Sequence, residues 1–138
     1  MATYGKCTYR VSAKALIRAD DKLLLVKEDS DYWDLPGGGV EHFENPEDAL
    51  KREIQEEVGS EVLKIDNEYP QVWATYDKRA DRPLLFLVYS VKIKRTPESS
   101  PNPEIKIGFF DEKQIKTLPI EPHLEKYRKQ VITCASRS

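Results

Sequence analysis

Residues 45–59, "NPEDALKREIQEEVG", constrain this chain more than any other stretch. Both ends of a helix are written into them. Asn45 is a good N-cap, Pro46 suits the first helical position, and Asp48 stands three residues after the cap. Gly59 fits the residue just past the C-terminus, where the backbone turns left-handed. Leu50, Ile54 and Val58 recur every four residues and form an apolar stripe that must face a core. At about 100° per residue, Glu53, Glu56 and Glu57 fall within an arc of roughly 100°, so their carboxylates can converge. Ala49 lies on the same arc one turn earlier, where a small side chain leaves room for approach.

As a bare helix this is unfavourable. Each like-charge pair at i,i+3 or i,i+4 costs about 0.2–0.5 kcal/mol. Acids in the last turns also oppose the helix dipole. Two readings remain open at this point: a solvated acidic face, or one wall of a site for a hard divalent cation. Charge distribution is consistent with either. Residues 41–61 carry a balance of −6, whereas the whole chain is −2. The preceding loop favours the second reading. Gly37, Gly38 and Gly39 stand in a row in "LPGGG", and glycine lets the backbone approach a ligand closely. Backbone N–H groups there are placed to face phosphate oxygens.

The remaining sequence supplies a scaffold. Residues 8–17 alternate, with Val11, Ala13, Ala15 and Ile17 on one face and Arg10, Ser12 and Lys14 on the other, which predicts a half-buried strand. "RADDK" predicts a hairpin turn, and "LLLV" (23–26) a buried strand. Residues 31–45 read as a glycine-rich loop, 62–65, 71–76, 84–93 and 105–110 as strands, and 94–104 as a Pro/Ser-rich surface loop. A short helix is expected in 111–118, and a C-terminal helix over 123–134 with Leu124, Tyr127 and Val131 on one stripe. Strands and helices mix without strict alternation. The expectation is a single domain over 1–138, of α/β (α+β) class, with a mixed sheet packed against helices.

The glycines and the helix together have a spacing that can be named. Five residues separate Gly38 from Glu44, and seven separate Glu44 from Arg52; Glu53, Ile54, Gln55, Glu56, Glu57, Val58 and Gly59 follow. This resembles the Nudix box, Gly-x5-Glu-x7-Arg-Glu-U-x-Glu-Glu-x-Gly-U, where U is a bulky aliphatic residue. Two positions depart from the pattern. Ser60 stands where the last U belongs, and Phe43 where a glycine often precedes the first box glutamate. "WDLPGGGVE", "GFFD" and the strand order extend the resemblance over most of the chain. It implies a Nudix fold, a mixed β-sheet sandwiched between helices (α/β/α). It also implies hydrolysis of a nucleoside diphosphate linked to a group X, with Mg2+ or Mn2+ as cofactor. By the resemblance Glu53, Glu56 and Glu57 hold metal, and Glu53 or Glu56 helps deprotonate the attacking water. Arg52 orients Glu53, Gly38 shapes the phosphate loop, and Glu44 braces that loop against the helix that Gly59 closes. Glu98 and Glu104 are candidates for a further carboxylate.

The leaving group is harder to read. Trp33, Trp73, Tyr76, Phe109 and Phe110 are candidates to stack on a base, and each is equally a core residue. Tyr76 lies 16 residues after Ser60, a position where some Nudix hydrolases of dinucleoside polyphosphates carry tyrosine. Arg10, Lys14, Arg79 and Arg82 are candidate phosphate contacts or simply solvated charges; His42 and His123 receive no role. The near-neutral balance gives no global field for nucleic acid or an anionic membrane, and the resemblance implies a small-molecule nucleotide as partner. Cys7 and Cys134 are expected to be free thiols in a reducing cytosol, and no apolar run reaches transmembrane length. A cytoplasmic protein is expected, with the oligomeric state open and a homodimer included. The competing reading is a Nudix-fold nucleotide-binding or regulatory module without turnover.

Overall fold

The computed structural model describes residues 8–66 and 69–136. Its centre is β1 (Arg10–Ala19), which pairs in parallel with β6 (Arg82–Ile93) from Arg10 opposite Leu84 to Ile17 opposite Val91. The far end of β1 turns through Asp20, in the left-handed region at φ 58°, into β2 (Lys22–Glu28). The hairpin expected at "RADDK" is therefore present. β7 (Ile105–Asp111) adds antiparallel to β2, while β4 (Val62–Ile65) and β5 (Gln71–Asp77) add antiparallel to β6. The last strand, β3 (Gly37–Gly39), pairs antiparallel with β1, Gly37 opposite Lys14.

Helices cover both faces. On one face α1 (Pro46–Val58) buries Leu50, Ile54 and Val58 against Ala13, Ala15, Ile17, Leu24 and Val26. Burying an aliphatic side chain of this kind contributes about 1.5–3 kcal/mol, so the stripe outweighs the local repulsion among the acids. On the other face α2 (Glu112–Ile115), α3 (Pro122–Glu125) and α4 (Arg128–Ser136) place Ile115, Leu124, Val131 and Ala135 against Leu16, Leu23, Leu25, Phe86 and Val88. The predicted α/β/α sandwich is the architecture observed.

Four local expectations are corrected. Residues 37–39 form a strand, because glycines without side chains let the chain lie beside β1: a Cβ on Gly37 would sit 2.1 Å from the Ala13 carbonyl oxygen. β1 is buried on both faces, since helices lie on each side; Ser12, Lys14 and Leu16 are buried along with Ala13, Ala15 and Ile17. Ala49 leaves no room for a ligand, being fully buried under the helix. The C-terminal helix breaks near Tyr127, whose N–H closes a tight turn onto the Leu124 carbonyl at 2.9 Å. Its ring stacks on Trp73 at 4.7 Å and its hydroxyl donates to the Ala74 carbonyl at 2.7 Å, which draws the turn onto β5.

Candidate metal and phosphate site

Helix α1 starts and stops where its sequence dictates. The Asn45 side chain accepts the Glu47 N–H at 3.0 Å. Gly59, at φ 74°, donates its N–H to the Ile54 and Gln55 carbonyls. This fixes the rotation of the helix and therefore the aim of its acids. Glu57 points inward and is buried, accepting the Gly37 N–H at 2.8 Å. Glu53 lies against Gly38: a Cβ added there would meet the Glu53 carboxyl carbon at 2.5 Å. Glu56 points outward, with 59% of its side chain exposed against 18% for Glu53.

Arg52 ties the acids to the loop. Its Nε and Nη2 donate to the two carboxylate oxygens of Glu44, both at 2.9 Å. Its Nη1 donates to Glu53 at 2.9 Å and lies 3.7 Å from Glu56, while Nη2 also reaches the Gly39 carbonyl at 3.3 Å. Such a bidentate fork is geometrically specific. The Arg52 hydrogen bonds, then the Glu41 N–H, hold the Glu44 carboxyl down at about 2. Arg10, a candidate phosphate contact or solvated charge, is exposed and lies across Gly39, where any Cβ would clash with its guanidinium at 1.7 Å.

Glu57 has the opposite electrostatics. Its carboxyl is pushed up to about 7, by burial above all and by nearby Glu53 and Asp34, against the downward pull of Lys14 and the Gly37 N–H. A carboxylate held dry beside another acid gains from a cation placed between the two. Among the described residues, no group of three or more His, Cys, Asp or Glu side chains is gathered closely enough to cage a metal. Mg2+ does not require such a cage. It takes one or two carboxylates and completes its shell with water and substrate phosphate oxygens. The donor set of Glu53 and Glu57 beside a side-chain-free strand fits that chemistry, with Glu56 at the open rim.

Glu98 and Glu104 line two separate pockets, neither of which includes Glu53, Glu56 or Glu57. One is formed with Val58, Gly59 and Arg95, the other with Lys27, Asp29 and Lys106. Trp33 packs edge-on to Phe110 at 4.8 Å and Trp73 stacks on Tyr127, so these rings serve the core. Tyr76 hydrogen-bonds Asp81 within the β5–β6 turn. Cys134 is buried, and Cys7 lies outside the described residues. No helix among the described residues is long and apolar enough to cross a membrane.

Sequence reasoning offered Lys14 only as a phosphate contact or solvated charge, gave His123 no role and did not single out Asp34, yet the three meet in the structure. Lys14 Nζ lies 3.3 Å from Asp34 Oδ2 and donates to the Leu35 carbonyl at 3.2 Å, and His123 Nε2 meets the same Asp34 oxygen at 2.9 Å. Burial disfavours both charges of the pair, yet each sustains the other: Asp34 raises Lys14, and Lys14 with His123 lowers Asp34. The signal available was a lysine between Ala13 and Ala15 at the middle of a strand.

The model of the NUDIX domain matches residues 8–131. The chain belongs to the NUDIX family. An RNA pyrophosphohydrolase of Nitratiruptor sp. is 43% identical over 47 residues, 34% of this chain and 30% of that protein. Nudix hydrolase 25 of Arabidopsis thaliana is 47% identical over 45 residues, 33% and 25% of the two chains. The NUDIX chain thus spans under a third of the length of these two curated relatives. Among solved structures, a NUDIX hydrolase from Nitrosomonas europaea superposes with a TM-score of 0.74 at 22% identity, covering 94% of this chain and 92% of that one. An ADP-ribose pyrophosphatase from Streptococcus suis does so at 0.67 and 29% identity, covering 95% and 94%.

Proposed function

We propose that this NUDIX protein is a metal-dependent pyrophosphohydrolase acting in the cytosol on a nucleoside diphosphate linked to a further group. The observation that carries the reading is the convergence of Glu53 and Glu57 on the glycine strand, one pressed to Gly38 and the other bonded to the Gly37 N–H. Glu53 and Glu57 would hold Mg2+ or Mn2+, with Glu56 joining from the rim. The chemistry such an ion supplies is neutralisation of the anionic pyrophosphate and a more acidic water. The chain's own groups do the rest. Arg52 fixes Glu53, and Glu44 fixes Arg52, so the acid is aimed before substrate arrives. Glu53 or Glu56 accepts the proton of the attacking water. The water oxygen bonds to phosphorus, the bridging P–O bond breaks, and the leaving phosphate carries away the electron pair.

Relatives named RNA pyrophosphohydrolase and ADP-ribose pyrophosphatase widen the substrate question beyond free dinucleoside polyphosphates. The test is incubation with Mg2+ and a panel: nucleoside triphosphates, dinucleoside polyphosphates, ADP-ribose and a short RNA bearing a 5′-triphosphate. Products are followed by chromatography. Cleavage within a phosphoric anhydride of at least one substrate is expected. Tight binding across the panel without any product would instead favour a nucleotide-binding module.

A further inference from the structure

Among the described residues, four other than glycine place their backbone in the left-handed region. Three are aspartates, Asp20, Asp29 and Asp81, whose short polar side chain tolerates it. The fourth is Phe43, at φ 64°. A bulky side chain there is a backbone outlier. Phe43 is also fully exposed, so its ring returns no buried apolar area to the fold. A residue unfavourable on both counts points to a role outside folding.

The turn that carries this ring is held by the same group that holds the acids of α1. The Glu44 N–H donates to the Glu41 carbonyl at 3.0 Å, and the Glu41 N–H donates to the Glu44 carboxylate at 3.1 Å. His42 and Phe43 form the tip between them. Arg52 grips Glu44 through two nitrogens and lies 3.8 Å from Glu41. The same guanidinium stands 2.9 Å from Glu53 and 3.7 Å from Glu56. The turn and two of the three acids are therefore fixed relative to one another before a ligand arrives. Phe43, next in sequence to Glu44, stands at the rim of the site, where Glu56 is exposed.

The surroundings select the kind of group the ring can meet. Glu41, Glu44 and Glu47 flank the tip, which disfavours a phosphate there. The His42 ring lies beside Phe43 with 6.3 Å between centroids and a tilt of 48°. An open aromatic face takes a flat ring by stacking, and every nucleobase offers one. A ring so exposed suits the outer end of a ligand whose phosphates lie at the acids.

We propose that Phe43 is a stacking platform for the outer nucleobase of a substrate in which the group beyond the pyrophosphate carries a base of its own. The inference rests on the substrate being a nucleotide held at the acids of α1, as proposed above. Its test needs no turnover. Two methylene-bridged, uncleavable analogues are titrated calorimetrically in Mg2+: a nucleoside tetraphosphate with one base and the matching dinucleoside tetraphosphate with two. The proteins are wild type, Phe43→Gly, Phe43→Asn and Phe43→Tyr. Glycine and asparagine remove the ring and suit the left-handed backbone, whereas tyrosine keeps the ring. Wild type should bind the two-base analogue at least about fivefold tighter than the one-base analogue. Phe43→Gly and Phe43→Asn should lose that preference, and Phe43→Tyr should keep it. A role confined to the shape of the turn would leave the preference in place in Phe43→Gly and Phe43→Asn, and that result overturns the proposal. Equal binding of the two analogues by wild type overturns it as well, and leaves the nucleotide reading standing. Failure of wild type to bind either analogue would remove the nucleotide reading and this inference with it.

Discussion

The backbone N–H of Gly37 donates to the buried carboxylate of Glu57 at 2.8 Å, joining the strand to the helix. Burial is the main reason that carboxyl is pushed up to about 7. Its folded value thus lies above its unfolded one, and the folded state binds the proton more tightly. Stability of the metal-free protein should fall as pH rises from about 4.5 through 7, by an amount on the order of 1–3 kcal/mol from this group. Thermal unfolding across that range in chelator should show the slope, and Glu57→Gln should flatten it. A slope identical in the variant would remove Glu57 as its source.

Arg52 bonds both oxygens of Glu44 and one of Glu53. Lysine keeps the charge and loses the fork. Arg52→Lys should therefore lower kcat about 10–100-fold while the fold persists, as expected when a partner that orients a ligand is replaced. Steady-state kinetics and circular dichroism together check this; wild-type kcat in a folded Arg52→Lys protein would show that Glu53 needs no such aiming.

Adjacent glycines should fail differently. At Gly37, φ is 131° and a Cβ would lie 2.1 Å from a backbone oxygen of β1, so Gly37→Ala should destabilise the protein by about 2–4 kcal/mol. At Gly38 the obstructing atoms belong to the Glu53 side chain, at 2.5 Å. Gly38→Ala should displace that carboxylate, so activity falls steeply with a stability change of under about 1 kcal/mol. Denaturant unfolding paired with activity separates the two; equal destabilisation by both would contradict the geometry.

Phe43 adopts φ 64° and is fully exposed. A side chain in the left-handed region costs about 1–2 kcal/mol, which glycine avoids. Glycine loses more entropy on folding, so the net gain from Phe43→Gly should be about 0.5–1 kcal/mol. A lower melting temperature in Phe43→Gly would show that the ring makes a stabilising contact.

The helix, its caps and its acidic arc were legible because each depends on residues within one or two turns. So was the class of fold, which follows from strand and helix signals in order. The glycine strand was not legible, since pairing with β1 depends on a backbone approach that glycine permits in a loop just as well. The double burial of β1 was hidden for a related reason: Lys14 and Ser12 read as a solvent face, and only α2–α4 packing over them makes it interior. Ser60 illustrates the same limit. It departs from the aliphatic residue of the Nudix pattern, yet it is buried and its hydroxyl accepts the Arg95 N–H at 3.1 Å. His123 acquires meaning only through Asp34, 89 positions away.

The central claim is that the acids of α1 work through a divalent cation to cleave a pyrophosphate. It is tested most directly by single-turnover cleavage of the best substrate in the panel, with Mg2+ or with chelator, by wild type and by Glu53→Gln and Glu57→Gln. The account predicts anhydride cleavage by wild type in Mg2+, and loss of it on chelation and in both variants, at least about a hundredfold. Cleavage that survives chelation and both substitutions would contradict it.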